Sequence, residues 1–139
     1  MKILLISALI LLCGCPDKTG QEFIYIENKT DKTITFDFSI NTQDTTFYCS
    51  NTGKTILFNV ESHSTLKLND GDVYSSWDSY LKSFTVFILD GVTYEKYWQQ
   101  PCDTIRKYVP VLQRYQLKLE DLQRLNWTIT YPPTAAMRD

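Results

Sequence analysis

The sequence has little of what catalytic and metal sites are made from. It contains one histidine and five glycines, and it has no H-x-x-x-H, C-x-x-C or G-x-S-x-G pattern. A catalytic or metal-bound histidine needs partners, whereas His63 stands in a polar run, residues 61–64, that is typical of an exposed turn. The carboxylates are scattered, and no pair stands in an apolar run that would raise a pKa. The sequence therefore predicts no catalytic residues, no metal and no cofactor, and a small hydrolase is the least favoured interpretation.

A surplus of charge of one sign is also missing. Lys and Arg number 14 against 16 Asp and Glu, which gives a formal net charge of −2. Since nucleic-acid binding requires a basic face, no nucleic-acid partner is expected. Residues 69–72, Asn-Asp-Gly-Asp, offer oxygen ligands for calcium, but they lack the order of an EF-hand loop and are predicted to form a turn.

The main apolar run lies at the N-terminus and is too short to cross a membrane. Residues 3–12 are nearly all aliphatic, which is about half of the roughly 20 residues that a membrane-spanning helix needs. This length is typical of the apolar region of a signal peptide. The run ends in Leu12-Cys13-Gly14-Cys15, which resembles the bacterial lipobox, where a small residue precedes a lipidated cysteine. Because Gly14 suits that position and Leu12 is too bulky for it, Cys15 is predicted to be lipidated. An ordinary secretory signal is the alternative.

This junction divides the chain into four predicted parts. Residues 1–14 are a lipoprotein signal peptide, 15–21 a lipidated tether, 22–133 the folded domain and 134–139 a loose tail. Two or three lipid chains on Cys15 would anchor the protein to the membrane. The tether that follows, even when fully extended, reaches only about 20 Å. The domain is therefore expected to lie close to the membrane.

The composition of the domain, rich in aromatic and β-branched residues, favours strands. Residues 33–40 alternate between apolar and polar and are predicted to be a half-buried strand, paired as a hairpin with residues 23–26. Residues 84–89 are apolar on both faces, as in a central strand. Asp90-Gly91 is typical of a type I′ turn, and the returning strand is predicted at residues 92–98.

The C-terminal part predicts a short helix between two strands. Residues 114–119 alternate, residues 120–125 carry leucines at helical spacing, and Asn126 suits the left-handed position that ends a helix. Residues 127–131 alternate again as a final strand that buries Trp127. Regularly spaced turn signals then predict a mainly antiparallel β-sandwich, Ig-like or similar, with one short helix before the last strand. A small closed barrel is the alternative.

Two cysteines, Cys49 and Cys102, remain once Cys15 is lipidated. Both are predicted at strand ends or in loops, in a chain exported to an oxidising compartment. They are expected to form a disulfide, and two separate buried thiols are the alternative.

Two short patterns resemble sites at which some Gram-negative bacteria O-glycosylate exported proteins. They are the triplets at residues 44–46, Asp-Thr-Thr, and 103–105, Asp-Thr-Ile. The resemblance implies modification of Thr45 and Thr104, both in predicted loops.

Aromatic residues are interleaved with polar ones in two stretches of the chain, residues 74–80 and residues 94–98. Because Tyr97 lies on the opposite face of its predicted strand from Tyr94 and Trp98, at least one ring must face away from a one-sided core. Exposed Tyr and Trp offer a large and rigid contact area. Trp77, Tyr97 and Trp98 are therefore the predicted binding patch, with a protein or a glycan as partner. The alternative is that these rings pack against each other.

The C-terminal pattern Y-x-L-x-L-E-D-L-Q-R-L-N-W-T-I-T-Y-P, residues 115–132, together with the lipobox, resembles short lipoproteins of the Gram-negative outer membrane. The resemblance implies a lipid-anchored protein of the cell outer membrane, facing the periplasm or the cell surface, and it implies no activity. The leading hypothesis is a non-catalytic binding or assembly module. A purely structural scaffold of the cell envelope is the alternative.

Overall fold

Seven strands and three short helices make up the regular structure of the residues that the computed structural model describes, which are 23–39, 45–49, 57–69 and 83–138. The strands are β1 (Phe23–Asn28), β2 (Ile34–Ser39), β3 (Phe58–Val60), β4 (Thr65–Asn69), β5 (Ser83–Asp90), β6 (Val111–Lys118) and β7 (Thr128–Tyr131). The helices are α1 (Gly91–Tyr97), α2 (Cys102–Tyr108) and α3 (Leu119–Arg124), and a 3-10 helix follows at Ala135–Met137.

The strands form two sheets packed face to face. Their orders are β4-β1-β7 and β3-β2-β5-β6, and every pairing among these strands is antiparallel except that of β1 with β7. The predicted mainly antiparallel β-sandwich is therefore confirmed, and α3 is the predicted short helix before the final strand. Between the sheets lies the main core, whose largest fully buried side chains include Ile24, Ile26, Phe36, Phe84, Ile88, Leu122 and Ile129.

The first two strands belong to different sheets, so the predicted hairpin between them is wrong. β1 pairs with β4 and β7, whereas β2 pairs with β3 and β5. The buried Asn28 holds the chain where it crosses between the sheets, because its Nδ2 lies 2.7 Å from Lys32 O and 3.0 Å from Val60 O. The polar connection, residues 29–33, could either close a hairpin or cross from one sheet to the other. The contacts of Asn28 favour the crossing.

A third layer covers the other face of the four-stranded sheet. Helices α1 and α2 pack there with the segment that carries Cys49, and a second core fills the space beneath them: Phe47, Cys49, Phe87, Leu89, Tyr94, Cys102, Ile105 and Val109. Strand β2 is consequently buried on both faces, with Thr35 fully covered and Asp37 only 9% exposed. The prediction that β2 is half-buried is wrong, because alternation reports the polarity of a face and not what covers it. The prediction that residues 84–89 form a central strand is confirmed by β5.

Asp90-Gly91 begins a helix, and the predicted hairpin turn and returning strand are wrong. A type I′ turn needs positive φ at both central residues, but Asp90 has φ −67° and no described glycine has positive φ. Instead, Asp90 Oδ1 accepts a hydrogen bond from Thr93 N at 2.8 Å and caps α1. Hydrogen bonds from the hydroxyl and backbone N–H of Thr93 hold the pKa of the Asp90 carboxyl below its ordinary value.

The C-terminal part follows the prediction except at Trp127. Asn126 has φ 51°, the predicted left-handed end of α3, but Trp127 also has a positive φ, 59°, and the final strand begins one residue later. Trp127 therefore packs against the main core as a half-buried ring that projects from a turn. In the predicted loose tail, the 3-10 helix places Met137 against the same core.

Candidate functional site

The exposed large apolar side chains of the described residues gather around one layer of the domain. They are Tyr48, Val92, Trp98, Tyr108, Val111 and Leu112. All come from α1 and the residue that follows it, from α2, from the start of β6 and from the segment disulfide-bonded to α2. We call this set the helical-layer surface. Single exposed apolar residues are ordinary, but a group of them on one part of a protein is typical of an interaction site.

Two stacked tyrosines join the helices at this surface. The rings of Tyr97 and Tyr108 have centroids 5.1 Å apart and planes inclined by 14°. Lys96 Nζ lies 5.3 Å from the centroid of Tyr97, and Lys107 Nζ lies 5.2 Å from that of Tyr108. Both lysines are within the range of a cation–π contact. The arrangement offers a rigid aromatic platform with cationic groups beside it.

The disulfide between Cys49 and Cys102, predicted from the sequence, fixes the segment beside α2. The two Cα atoms are 5.6 Å apart. Asp37 Oδ2 accepts a hydrogen bond from Tyr48 N at 2.6 Å, so the same short segment is attached to β2 as well. The backbone that carries the exposed ring of Tyr48 is thus held by the disulfide at the neighbouring Cys49 and by a charge-assisted hydrogen bond from the N–H of Tyr48 itself.

The start of β6 lies close to α1 through backbone contacts. Asp90 N donates to Pro110 O at 3.2 Å, and Val111 is the register partner of Leu89. Val111 and Leu112 therefore adjoin the N-terminus of α1, where Val92 is exposed. β6 is also an edge strand of the four-stranded sheet as the described residues form it. A strand edge next to exposed apolar side chains offers a partner both backbone hydrogen bonds and apolar contacts.

Beneath the surface, Tyr94 and Asp37 lie against the second core. Burial, together with the negative charge of Asp37, raises the pKa of the Tyr94 hydroxyl. Tyr94 therefore stays protonated throughout the physiological range, and it supports α1 from below while Tyr97 and Trp98 lie further out.

Two of the three residues of the predicted binding patch lie in the described part of the chain, and the patch itself stays a prediction. Trp98, 37% exposed, belongs to the helical-layer surface, and the partly exposed Tyr97 stacks at its edge. Trp77 lies outside the described residues, so its place relative to these two stays a prediction. Cys15, the predicted lipidation site, also lies outside them.

The sequence prediction missed five members of this surface: Tyr48, Val92, Tyr108, Val111 and Leu112. Val92 was missed because residues 92–98 were assigned to a strand, which placed side chains on two faces instead of around a helix. An aspartate followed three residues later by a threonine whose N–H it can cap was the signal for a helix start.

The two predicted glycosylation residues stand in different surroundings. Thr45 is exposed in a non-regular segment. Thr104 lies within α2, so its predicted place in a loop is wrong, and the next residue, Ile105, is buried in the second core. Modification of either threonine stays a prediction.

His63 occupies the exposed turn that its polar neighbours predict. It has φ 51°, and its Nε2 lies 2.7 Å from Asp31 Oδ1. Both side chains are largely solvent-exposed. No three His, Cys, Asp or Glu side chains among the described residues are grouped so that they could hold a metal ion. Residues 70–72 of the Asn-Asp-Gly-Asp run, which offers oxygen ligands for calcium, lie outside the described part.

Comparison of the chain with models of protein families, with curated proteins and with solved structures found no match. In the part of the chain that the structure describes, no helix is both long enough and apolar enough to cross a membrane.

Proposed function

We propose that this protein is a lipid-anchored lipoprotein of the cell envelope that acts as a non-catalytic binding or assembly module. The helical-layer surface carries the proposal, because it concentrates the exposed apolar side chains of the described residues. Its members are aliphatic as well as aromatic, and they lie next to a strand edge. This mixture suits a protein partner better than a glycan, since interface cores combine apolar packing with a few polar contacts.

Rigidity of the surface supports this function. The disulfide, the hydrogen bond to Asp37 and the stack of Tyr97 on Tyr108 hold three separate segments in place before any partner arrives. A preformed surface loses little conformational entropy on binding, so more of its contact energy contributes to affinity. The positions of Trp98 and Tyr108 make them the residues most suited to contribute strongly.

Photo-crosslinking in intact cells tests the proposed surface. A photoreactive amino acid is placed at Trp98 or Tyr108 of the full-length protein, and at Glu120 as a control because it is exposed on α3, which packs on the main core. We expect a discrete cross-linked protein from the first two positions and none from the third. Equal cross-linking from all three positions, or none from any, would contradict the proposed surface.

The lipid anchor is tested separately through the two cysteines of the lipobox-like run. Cys15→Ser should release the protein from membranes and abolish metabolic labelling by palmitate, whereas Cys13→Ser should do neither. Retention and labelling of Cys15→Ser together with loss in Cys13→Ser would assign the lipid to Cys13. Loss in neither variant would refute the anchor.

A further inference from the structure

The outer face of the three-stranded sheet carries a second set of side chains that the helical-layer surface does not involve. Because side chains alternate along a strand, Tyr25 and Glu27 of β1 point away from the main core while Ile24 and Ile26 point into it. An open depression of about 390 Å³ lies over this face. Its lining residues are Tyr25, Glu27, Thr65, Asn126 and Thr128.

The strand register explains why these side chains meet. Tyr25 is the partner of Thr128 on one side, and Glu27 is the partner of Thr65 on the other. Asn126 joins them from the left-handed turn that leads into β7. All three strands of the sheet therefore contribute to one depression with an aromatic ring at its centre and polar groups around it.

The carboxylate of Glu27 is held in position, and among the described residues one of its oxygens has no donor. Oε2 accepts a hydrogen bond from Thr130 Oγ1 at 2.9 Å and lies 3.3 Å from Lys29 Nζ. No described residue donates to Oε1. The carboxylate is thus oriented by two groups and still offers an acceptor to the depression, where a charge-assisted hydrogen bond is stronger than a neutral one.

The other polar groups of the depression both donate and accept hydrogen bonds. Thr65 and Thr128 present hydroxyls, and Asn126 presents an amide. Thr128 Oγ1 donates to Asn126 O at 3.3 Å. This bond links these two residues at the rim of the depression, where the left-handed turn leads into β7. Lys29 already balances the charge of Glu27, so the depression does not favour a cation, and the carboxylate disfavours an anion. A neutral ligand rich in hydroxyl groups fits this set.

From this arrangement we infer that the outer face of the three-stranded sheet binds a neutral saccharide. The apolar C–H face of a sugar ring packs on the ring of Tyr25, and its hydroxyls bond to Glu27 Oε1 and to the rim residues Asn126 and Thr128. The volume lies within the range of small-ligand sites. The site is on the far side of the sandwich from the helical-layer surface, and the inference does not depend on the proposed protein partner.

Titration of the full-length protein in detergent micelles tests the inference. The probes are N-acetylglucosamine trimer, maltotriose and cellotriose. Their binding is measured by isothermal titration calorimetry. We expect saturable binding of at least one probe, weakened about tenfold by Tyr25→Ala, as is ordinary for the loss of one aromatic contact. Glu27→Gln should also weaken it, while Tyr48→Ala, a control at an exposed tyrosine of the helical-layer surface, should leave it unchanged.

A further variant guards against misfolding of Tyr25→Ala. Tyr25→Phe keeps the ring, so it should retain binding within a few fold and melt like wild type. The inference is overturned if none of the probes binds saturably up to about 10 mM, if binding persists in Glu27→Gln and Tyr25→Ala alike, or if Tyr48→Ala abolishes it. Photo-crosslinking at Trp98 reports on the other surface, so each proposal can fail alone.

Discussion

Replacing Gly91 with alanine should destabilise the domain, although alanine is normally the better residue in a helix. Gly91 is the first residue of α1, and helix propensity favours alanine over glycine by about 0.5–1 kcal/mol. In the folded chain, however, Gly91 is buried and its N–H donates to Thr33 O at 3.1 Å. An added Cβ would stand 2.7 Å from Thr33 O and 2.9 Å from Thr33 C. These are backbone atoms, which cannot rotate away as a side chain can.

The size of the effect follows from what must move. Thr33 directly precedes β2, so relief of the contact shifts the start of a central strand or the capped start of α1. Overpacking of this kind costs about 1–3 kcal/mol, and the gain in propensity offsets up to about 1 kcal/mol of it. We therefore expect a net loss of about 1–2 kcal/mol. For a domain of this size, that loss lowers the melting temperature by roughly 4–8 °C.

Thermal melting followed by circular dichroism measures this difference directly. The matched control is Val92→Ala in the next position, whose side chain is 62% exposed and which should melt within a degree or two of wild type. A Gly91→Ala protein that is as stable as wild type, or more stable, would show that α1 does not press against Thr33.

Three other changes have expected outcomes of different kinds. Replacing Cys49 and Cys102 together with serine should lower stability by about 4 kcal/mol, because the bridge spans 53 positions of sequence; a melting temperature close to that of oxidised wild type would contradict this. Trp127→Ala should cost about 2 kcal/mol, less than Leu122→Ala at a fully buried position, because the ring of Trp127 is only half-buried; equal urea midpoints for the two variants would refute the ranking. The pKa of Asp90 is lowered in the folded state, so its stabilising contribution is complete above the unfolded value and is lost as pH falls through the folded one. Asp90→Asn should therefore lose stability at neutral pH and flatten the acid limb of the stability curve below about pH 4, and an unchanged acid limb would count against the cap.

The elements that the sequence predicts well are those that carry a strong signal in their own residues. Strand β5 is apolar on both faces, and α3 combines leucines at helical spacing with an asparagine in the left-handed position at its end. Such signals depend on neighbouring residues alone. They survive folding because the final packing agrees with the local preference.

Strand pairing and the third layer depend on contacts that no local pattern contains. β1 pairs in parallel with β7, so Tyr25 is the register partner of Thr128, which lies near the other end of the sequence. Helix α1 is only seven residues long, too short for its periodicity to outweigh an alternating pattern, and the N-cap at Asp90 decides it. Val92 was missed for the same reason, since its exposure follows from the helix.

The order of the layers places the two proposed surfaces apart. The main core separates the three-stranded sheet from the four-stranded one, and the second core separates the four-stranded sheet from α1 and α2. The depression proposed to bind a saccharide therefore opens from one outer face of the stack, and the helical-layer surface opens from the other. A ligand at Tyr25 would not occlude Trp98, so the two proposals, a glycan at one face and a protein partner at the other, are compatible. With the proposed lipid anchor, two opposed contact faces would suit the domain to linking one component of the envelope to another. Binding at the two faces should be additive in free energy unless the central sheet moves.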